Sequence, residues 1–159
     1  MSIKNTVTIL TEDRWIEVDG VTVEFQNGFQ LIPEHDGLFA LHWKDGKGEY
    51  QFDDPPSNHF FDKSEYNKFV APYVRQWEKE KSRQKAEFEA EWNKPENVEA
   101  RAREQRNTLL AETDYILMPD YPLTEEQREL WTTYRQALRD LTDQEGWPTN
   151  IVWPEKPSV

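Results

Sequence analysis

Three turn dipeptides in the first third of the chain limit what this part can fold into: Asp-Gly at 19–20, Asn-Gly at 27–28 and Asp-Gly at 45–46. These pairs favour the type I′ turn, because both of its central residues need a positive φ. The stretches around them, NTVTIL, RWIEVDGVTVEFQNGFQLI, LFALHW and GEYQF, contain alternating apolar and polar residues. Alternation with a period of two indicates half-buried strands. We predict about six short antiparallel strands in residues 1–63, ended by the Pro-Pro pair at 55–56.

Helical spacing follows the two prolines. Ser64 is predicted to be the N-cap of a helix, and Pro72 marks either a kink or the true helix start. Between 78 and 92 the pattern is mostly polar, with Glu interleaved among Lys and Arg. A helix that is polar over two turns either bridges modules or lies against a partner. We therefore predict a helical arm or linker over 64–95. Its apolar stripe consists of Tyr66, Phe69, Val70, Tyr73 and Trp77.

The residue pattern in the last third of the chain predicts a pair of helices. Pro95 ends the arm, and residues 96–111 restart a helical pattern. Thr124 and Gln127 have the spacing of a capping box, which predicts the start of a final helix running to about Leu141. The apolar stripe of that helix consists of Leu130, Trp131, Tyr134, Leu138 and Leu141.

The chain finishes in a stiff apolar segment, GWPTNIVWPEKP, at 146–157. Proline fixes φ near −65° and extends the residue before it, so this segment loses less entropy when it docks. Burying Trp147 or Trp153 is worth at most roughly 3–5 kcal/mol by area. We predict that the tail folds back over the last helix. One Trp then supports the structure and the other contacts a partner, and the sequence does not say which.

The net charge is −12 and the chain has no cysteine. Phosphate backbones repel such a chain, so we predict no nucleic-acid partner. Lack of cysteine excludes disulfides and thiolate metal sites. No apolar run has the length of a signal peptide or a membrane span, which predicts a soluble protein without a membrane partner. The charge is −7 over 1–63, +1 over 64–111 and −6 over 112–159, and this split suggests modules.

Residue patterns for catalysis are missing. His35, His42 and His59 form neither an HxH pair nor an HExxH motif. The Asp-Asp pair at 53–54 is followed by two prolines, which are incompatible with a calcium-binding loop. The sequence has neither a glycine-rich phosphate loop nor a GxSxG elbow. We predict that the protein is not an enzyme and has no catalytic residues, no cofactor and no metal.

Two arginines on the last helix need an explanation. Arg135 and Arg139 lie one turn apart in an acidic segment. They can pair with Asp114 or Asp120 of their own module, or with carboxylates of a partner. Both alternatives stay open from the sequence.

An ordered set of residues in the C-terminal third resembles the C-terminal domain of bacteriophage tail assembly chaperones, which are also called tail fibre assembly proteins. The resemblance covers about residues 100–157. The N-terminal stretches MSIKNTVTI, VDG and ALHWKDGKGEYQF resemble the strand region often joined to that domain. Tyr115 departs from the pattern, since the family more often has Trp there, and the charged helix at 74–95 is not part of it. The residues that carry the resemblance are Thr113-Asp114, Pro119-Asp120, Pro122-Leu123-Thr124, Gln127, Trp131, Tyr134-Arg135-Gln136, Leu138-Arg139-Asp140, Pro148, Asn150, Val152-Trp153-Pro154 and Pro157.

The residue patterns together predict an α+β protein. A small antiparallel β module at 1–63 is followed by the arm at 64–95 and by a helical hairpin closed by the Trp-Pro tail at 96–159.

The resemblance implies a non-enzymatic assembly chaperone that binds a phage tail or tail-fibre protein during folding or attachment. It implies a site of action in the host cell cytoplasm, with retention in the virion tail left open. The alternatives are a permanent virion component, such as a fibre-tip or baseplate adaptor, and an acidic DNA mimic that inhibits a host nuclease. The oligomeric state is not fixed. Candidate partner-binding residues are Tyr115, Tyr121, Trp131, Tyr134, Arg135, Arg139, Trp147, Trp153 and Pro154.

Overall fold

The structure, a computed structural model, describes residues 3–158. Met1, Ser2 and Val159, at the ends of the first and last predicted modules, lie outside the described residues. A six-stranded antiparallel sheet is followed by helices, including a helix near the C-terminus. The predicted α+β class is therefore confirmed.

The sheet has the strand order β3-β2-β1-β4-β5-β6, and every neighbouring pair is antiparallel. Two of the three predicted hairpins are confirmed. Asp19 and Gly20 have φ of 48° and 81°, and Asp45 and Gly46 have φ of 48° and 91°, as a type I′ turn requires. The strands are β1 (Thr6–Leu10), β2 (Trp15–Val18), β3 (Val21–Glu24), β4 (Leu38–Lys44), β5 (Lys47–Asp53) and β6 (Pro56–Asp62).

The hairpin predicted at Asn-Gly 27–28 is wrong. The chain after β3 takes an irregular path to a short 3-10 turn at Pro33–His35 before β4 begins. The side-chain amide of Gln76 accepts from the backbone N–H of Gln30 at 2.7 Å and donates to its carbonyl at 2.8 Å. A helix side chain thus takes the place of a partner strand, which a local turn signal does not reveal.

The prediction that the prolines at 55–56 end the strand region is also wrong. Pro56 is the first residue of β6, which pairs with β5 as far as Asp62. Proline lacks a backbone N–H and is tolerated at the first residue of a strand on the edge of a sheet. Strand β6 occupies that edge position.

The helices begin directly after the sheet. The cap predicted at Ser64 is supplied instead by Asp62, whose carboxylate accepts from the Ser64 backbone N–H at 2.8 Å and from its hydroxyl at 2.6 Å. Pro72 is the second residue of α2, so it marks the helix start. The helices are α1 (Tyr66–Phe69), α2 (Ala71–Trp92), α3 (Pro95–Ala111) and α4 (Glu125–Arg139), with 3-10 turns at Lys63–Glu65, Asp114–Leu117 and Asp140–Asp143.

Packing groups the described residues into two compact units, with the boundary between Glu87 and Phe88. This boundary lies inside the stretch that we predicted to be a helical arm, 64–95. In the first unit, α1 and the start of α2 share one hydrophobic cluster with the inner face of the sheet. The cluster includes Val7, Ile9, Ile16, Val18, Leu41, Trp43, Tyr66, Phe69, Val70, Tyr73 and Trp77.

His35 lies inside that cluster with 0% of its surface exposed. The Tyr73 hydroxyl accepts from the Ile32 N–H at 3.3 Å and lies within hydrogen-bond distance of His35 Nδ1, at 2.8 Å. Within residues 3–158, His35 Nε2 has no hydrogen-bond partner. Burial in these apolar surroundings lowers the pKa of His35 to about 4. His35 is thus a neutral core residue.

His42 and His59 lie on the surface of the sheet. Among residues 3–158, no cluster of three or more His, Cys, Asp or Glu side chains is arranged to hold a metal ion. None of the helices in the described part of the chain combines the length and apolar character of a membrane span.

Candidate functional site

The candidate site lies in the C-terminal unit and is built on α4. Thr124 Oγ1 accepts from the Gln127 backbone N–H at 3.2 Å, and the Gln127 amide oxygen accepts from the Thr124 N–H at 2.9 Å. This reciprocal pair confirms the predicted capping box and satisfies two N–H groups at the helix start. Glu125 and Glu126 in the first turn and Arg139 in the last suit the helix dipole.

The apolar stripe of α4 forms the core of this unit, with one exception. Trp131, Tyr134, Leu138 and Leu141 are buried together with Ile116. Trp131 and Tyr134 meet edge to face with ring centroids 5.8 Å apart, and burial raises the pKa of the Tyr134 hydroxyl. The exception is Leu130, which is exposed and therefore does not belong to the buried stripe as predicted.

Arg135 joins α4 to the segment that follows α3. Its guanidinium donates to the Leu110 carbonyl at 2.6 Å and to Thr113 Oγ1 at 2.7 Å, and it forms an ion pair with Asp114. Only 7% of Arg135 is exposed. Of the two pairings left open by the sequence, the internal one with Asp114 is present for this arginine.

The C-terminal tail packs on the same core. Trp147, Ile151 and Trp153 are half-buried against the cluster that contains the α4 stripe. The Gln144 side-chain amide donates to the Val152 carbonyl at 2.9 Å and accepts from the Val152 N–H at 3.0 Å. The predicted clasp is therefore confirmed, and both Trp side chains take part in it.

The nine candidate residues fall into three groups by exposure. Trp131, Tyr134 and Arg135 are buried and hold the unit together, so their side chains offer little to a partner. Tyr121, Trp147, Trp153 and Pro154 are half-buried, whereas Tyr115 and Arg139 are exposed. The structure brings Tyr115 and Tyr121 together, with ring centroids 5.4 Å apart in an edge-to-face contact.

Sequence reasoning missed one member of this neighbourhood. Met118 lies between the two tyrosines in the chain. The exposed fraction of its surface is 52%, and that of Tyr115 is 50%. Pro119 next to it was a usable signal, because a loop punctuated by proline lies on the surface and exposes the apolar residues it carries. We call Tyr115, Met118 and Tyr121 the loop surface.

A second exposed aromatic pair lies in the same unit. Phe88 and Trp92 stack with centroids 5.7 Å apart, and the Arg101 guanidinium lies 3.9 Å from the Trp92 ring centroid. A cation–π contact of this kind holds the indole in place. Both rings are at least half exposed.

A groove of about 340 Å³ runs between α3 and the tail. Arg101, Gln105 and Asn150 supply its polar groups, and Ile151 and Trp153 supply apolar surface. The residues that line this groove can form hydrogen bonds and apolar contacts, but they include no carboxylate next to a base or a nucleophile. The arrangement suits binding rather than bond cleavage.

Comparison with protein families matches residues 99–158 to the phage tail assembly chaperone protein family. The match covers α4, the loop surface and the tail, and it agrees with the resemblance drawn from the sequence. Neither the curated proteins nor the solved structures give a match.

Proposed function

Since residues 99–158 match the phage tail assembly chaperone family, we propose that this protein is a non-enzymatic chaperone for a phage tail or tail-fibre protein. It binds that protein during folding or attachment, in the host cell cytoplasm. The family match supports a role in phage tail assembly. The mode of binding is our proposal.

The observation that carries the proposal is that some aromatic residues of the C-terminal unit are buried in its core, whereas others remain exposed. Trp131 and Tyr134 close the core, and Trp147 and Trp153 hold the tail against it. In the loop surface beside this core, Tyr115 and Met118 are exposed and Tyr121 is half-buried. Tyrosine and methionine are enriched at protein interfaces, because they bury large area at small entropic cost or adapt to irregular partners.

Charge supports a protein partner over a nucleic acid. Residues 112–159 carry a charge of −6, and Asp114 and Asp120 lie next to the loop tyrosines. Carboxylates at this position repel phosphate groups, whereas they favour a partner surface with Lys or Arg around an apolar centre. The proposal therefore includes no nucleic-acid partner.

Co-expression tests the proposal. The full chain is produced with each tail or fibre protein encoded near it, and the soluble amount of each partner is compared with expression alone. We expect one partner to become soluble and to co-purify. Replacing Tyr115, Met118 and Tyr121 by Ser should remove that effect, whereas the matched control Phe88→Ser/Trp92→Ser should keep it. If every partner behaves alike with and without the chain, the proposal fails.

A permanent virion adaptor would bind the same partner, so particle composition separates the two functions. Quantitative mass spectrometry of purified particles should find this chain far below the copy number of the tail proteins. A fixed stoichiometric ratio to a tail protein would instead establish the adaptor.

A further inference from the structure

Strand β6 (Pro56–Asp62) forms one edge of the sheet, and within residues 3–158 no strand lies beyond it. Its pairing with β5 is uninterrupted from Pro56 opposite Asp53 to Asp62 opposite Lys47. An edge strand of seven residues presents a row of backbone N–H and C=O groups that can pair with another strand.

The opposite edge of the sheet is short, and side chains of α2 bond to its outer backbone groups; we call it the closed edge. Strand β3 has four residues, and α2 supplies side chains to its outer side. The Trp77 indole N–H donates to the Val21 carbonyl at 3.0 Å, and the Gln84 amide donates to the Glu24 carbonyl at 2.7 Å. One edge is therefore protected by the fold itself, and the other is not.

Strand β6 also lacks the features that usually prevent edge pairing. It contains no Lys or Arg, no bulge interrupts its register with β5, and its only proline is the first residue. The side chain of Phe60 lies on the face of the sheet away from the core and is 77% exposed. Its neighbour Phe61 points inward and is buried.

We propose that β6 pairs antiparallel with β6 of a second copy of this chain, about a two-fold axis at Phe60. The axis puts the two Phe60 side chains directly opposite each other, where an aromatic pair buries both. It also puts Asn58 opposite Asp62 of the second copy, so that an amide N–H faces a carboxylate and no like charges meet. This contact uses the same patch on both copies.

The closed β3 edge explains why such pairing stops at two copies. The joined sheet has twelve strands, and each of its ends is a β3 edge covered by α2. Pairing through β6 is therefore a closed dimer contact and not the start of a fibre.

The mass of the full chain in solution is the first test. Light scattering after size exclusion should give twice the monomer mass of 19.0 kDa at high concentration, falling towards the monomer on dilution. Added salt should favour the dimer, because two chains of charge −12 repel each other less when screened. A chain that stays monomeric at its highest soluble concentration overturns the proposal.

A charge variant assigns the contact to β6. Phe60→Lys puts two like charges on the axis and should make the chain monomeric, with unchanged circular dichroism. The matched control Val21→Lys, at an exposed position on the closed edge, should leave the dimer intact. A Phe60→Lys chain that folds and still dimerises overturns the assignment.

Cysteine variants test the register between the two β6 strands. They also test the proposal if the Phe60→Lys chain does not fold. The chain has no cysteine, so any disulfide comes from the introduced residue. Phe60→Cys should form a dimer linked through the axis under mild oxidation, whereas Asn58→Cys and Val21→Cys should link far more slowly. Equal linkage of all three variants, or none by Phe60→Cys, overturns the two-fold pairing.

Discussion

At the residue scale, Arg135 shows how one charged side chain organises the C-terminal unit. It lies on α4 but satisfies the Leu110 carbonyl at the end of α3, the Thr113 hydroxyl and the Asp114 carboxylate. The planar guanidinium fits several acceptors at once, which a lysine would not. Arg135 therefore positions the segment that leads into the loop surface.

His35 gives a prediction about pH. Its pKa in the folded chain, about 4, lies below the ordinary value of 6.5 for histidine, because burial among Tyr50, Phe69 and Tyr73 disfavours the charged ring. As pH falls, the His35 side chain therefore takes up a proton in the unfolded chain at a higher pH than in the folded chain. Stability should decrease between about pH 6.5 and pH 4, by about 3 kcal/mol from this group.

Urea unfolding across that pH range measures the effect. His35→Gln should show a smaller loss of stability between the two pH values than the unmodified chain, whatever its stability at neutral pH. The exposed His59→Gln serves as the control and should keep the full pH dependence. Glu34 and Lys68, the charged groups that act on His35, are unchanged in both variants. Identical slopes for all three proteins would contradict the buried neutral state.

At the element scale, the tail gives a prediction about stability. Trp153 is half-buried against the core of its unit, and Val152 beside it is 73% exposed. Trp153→Ala should destabilise the C-terminal unit by about 1–3 kcal/mol, less than a fully buried aromatic would cost. Val152→Ala should change stability by less than about 0.5 kcal/mol. Thermal melts of the three chains make the comparison, and a Trp153→Ala melt that overlays the unmodified one would show that the clasp does not stabilise this unit.

Elements governed by local chemistry were predictable from the sequence. The turns at 19–20 and 45–46 need only a residue pair that accepts positive φ, and the capping box needs only Thr124 and Gln127. The hairpin predicted at 27–28 failed because the decisive contact comes from Gln76, far along the chain. Strand β6 was missed because its pairing with β5 outweighs a weak local pattern with proline at its start.

At the scale of the whole molecule, two compact units divide the chain, and sequence reasoning located the candidate site in the second. It named Tyr115, which the structure leaves exposed, and Tyr121, which is half-buried. It also named Trp131, Tyr134 and Arg135, which turned out to be buried. Helical spacing fixes which residues share a face, but only the packing of α3, the loop and the tail decides how much of that face is covered. The functional role of the exposed candidates stays a prediction.

Hydrogen exchange of the full chain, alone and bound to the tail or fibre protein that co-purifies with it, tests the central claim most directly. The claim is that the loop surface contacts the partner while the core beneath it stays unchanged. Amides at 114–121 should exchange markedly more slowly in the complex, whereas those of α4, which carries the core, and those of β4 and β5 should not change. Unaltered exchange at 114–121, with protection appearing only in the first unit, would contradict the account.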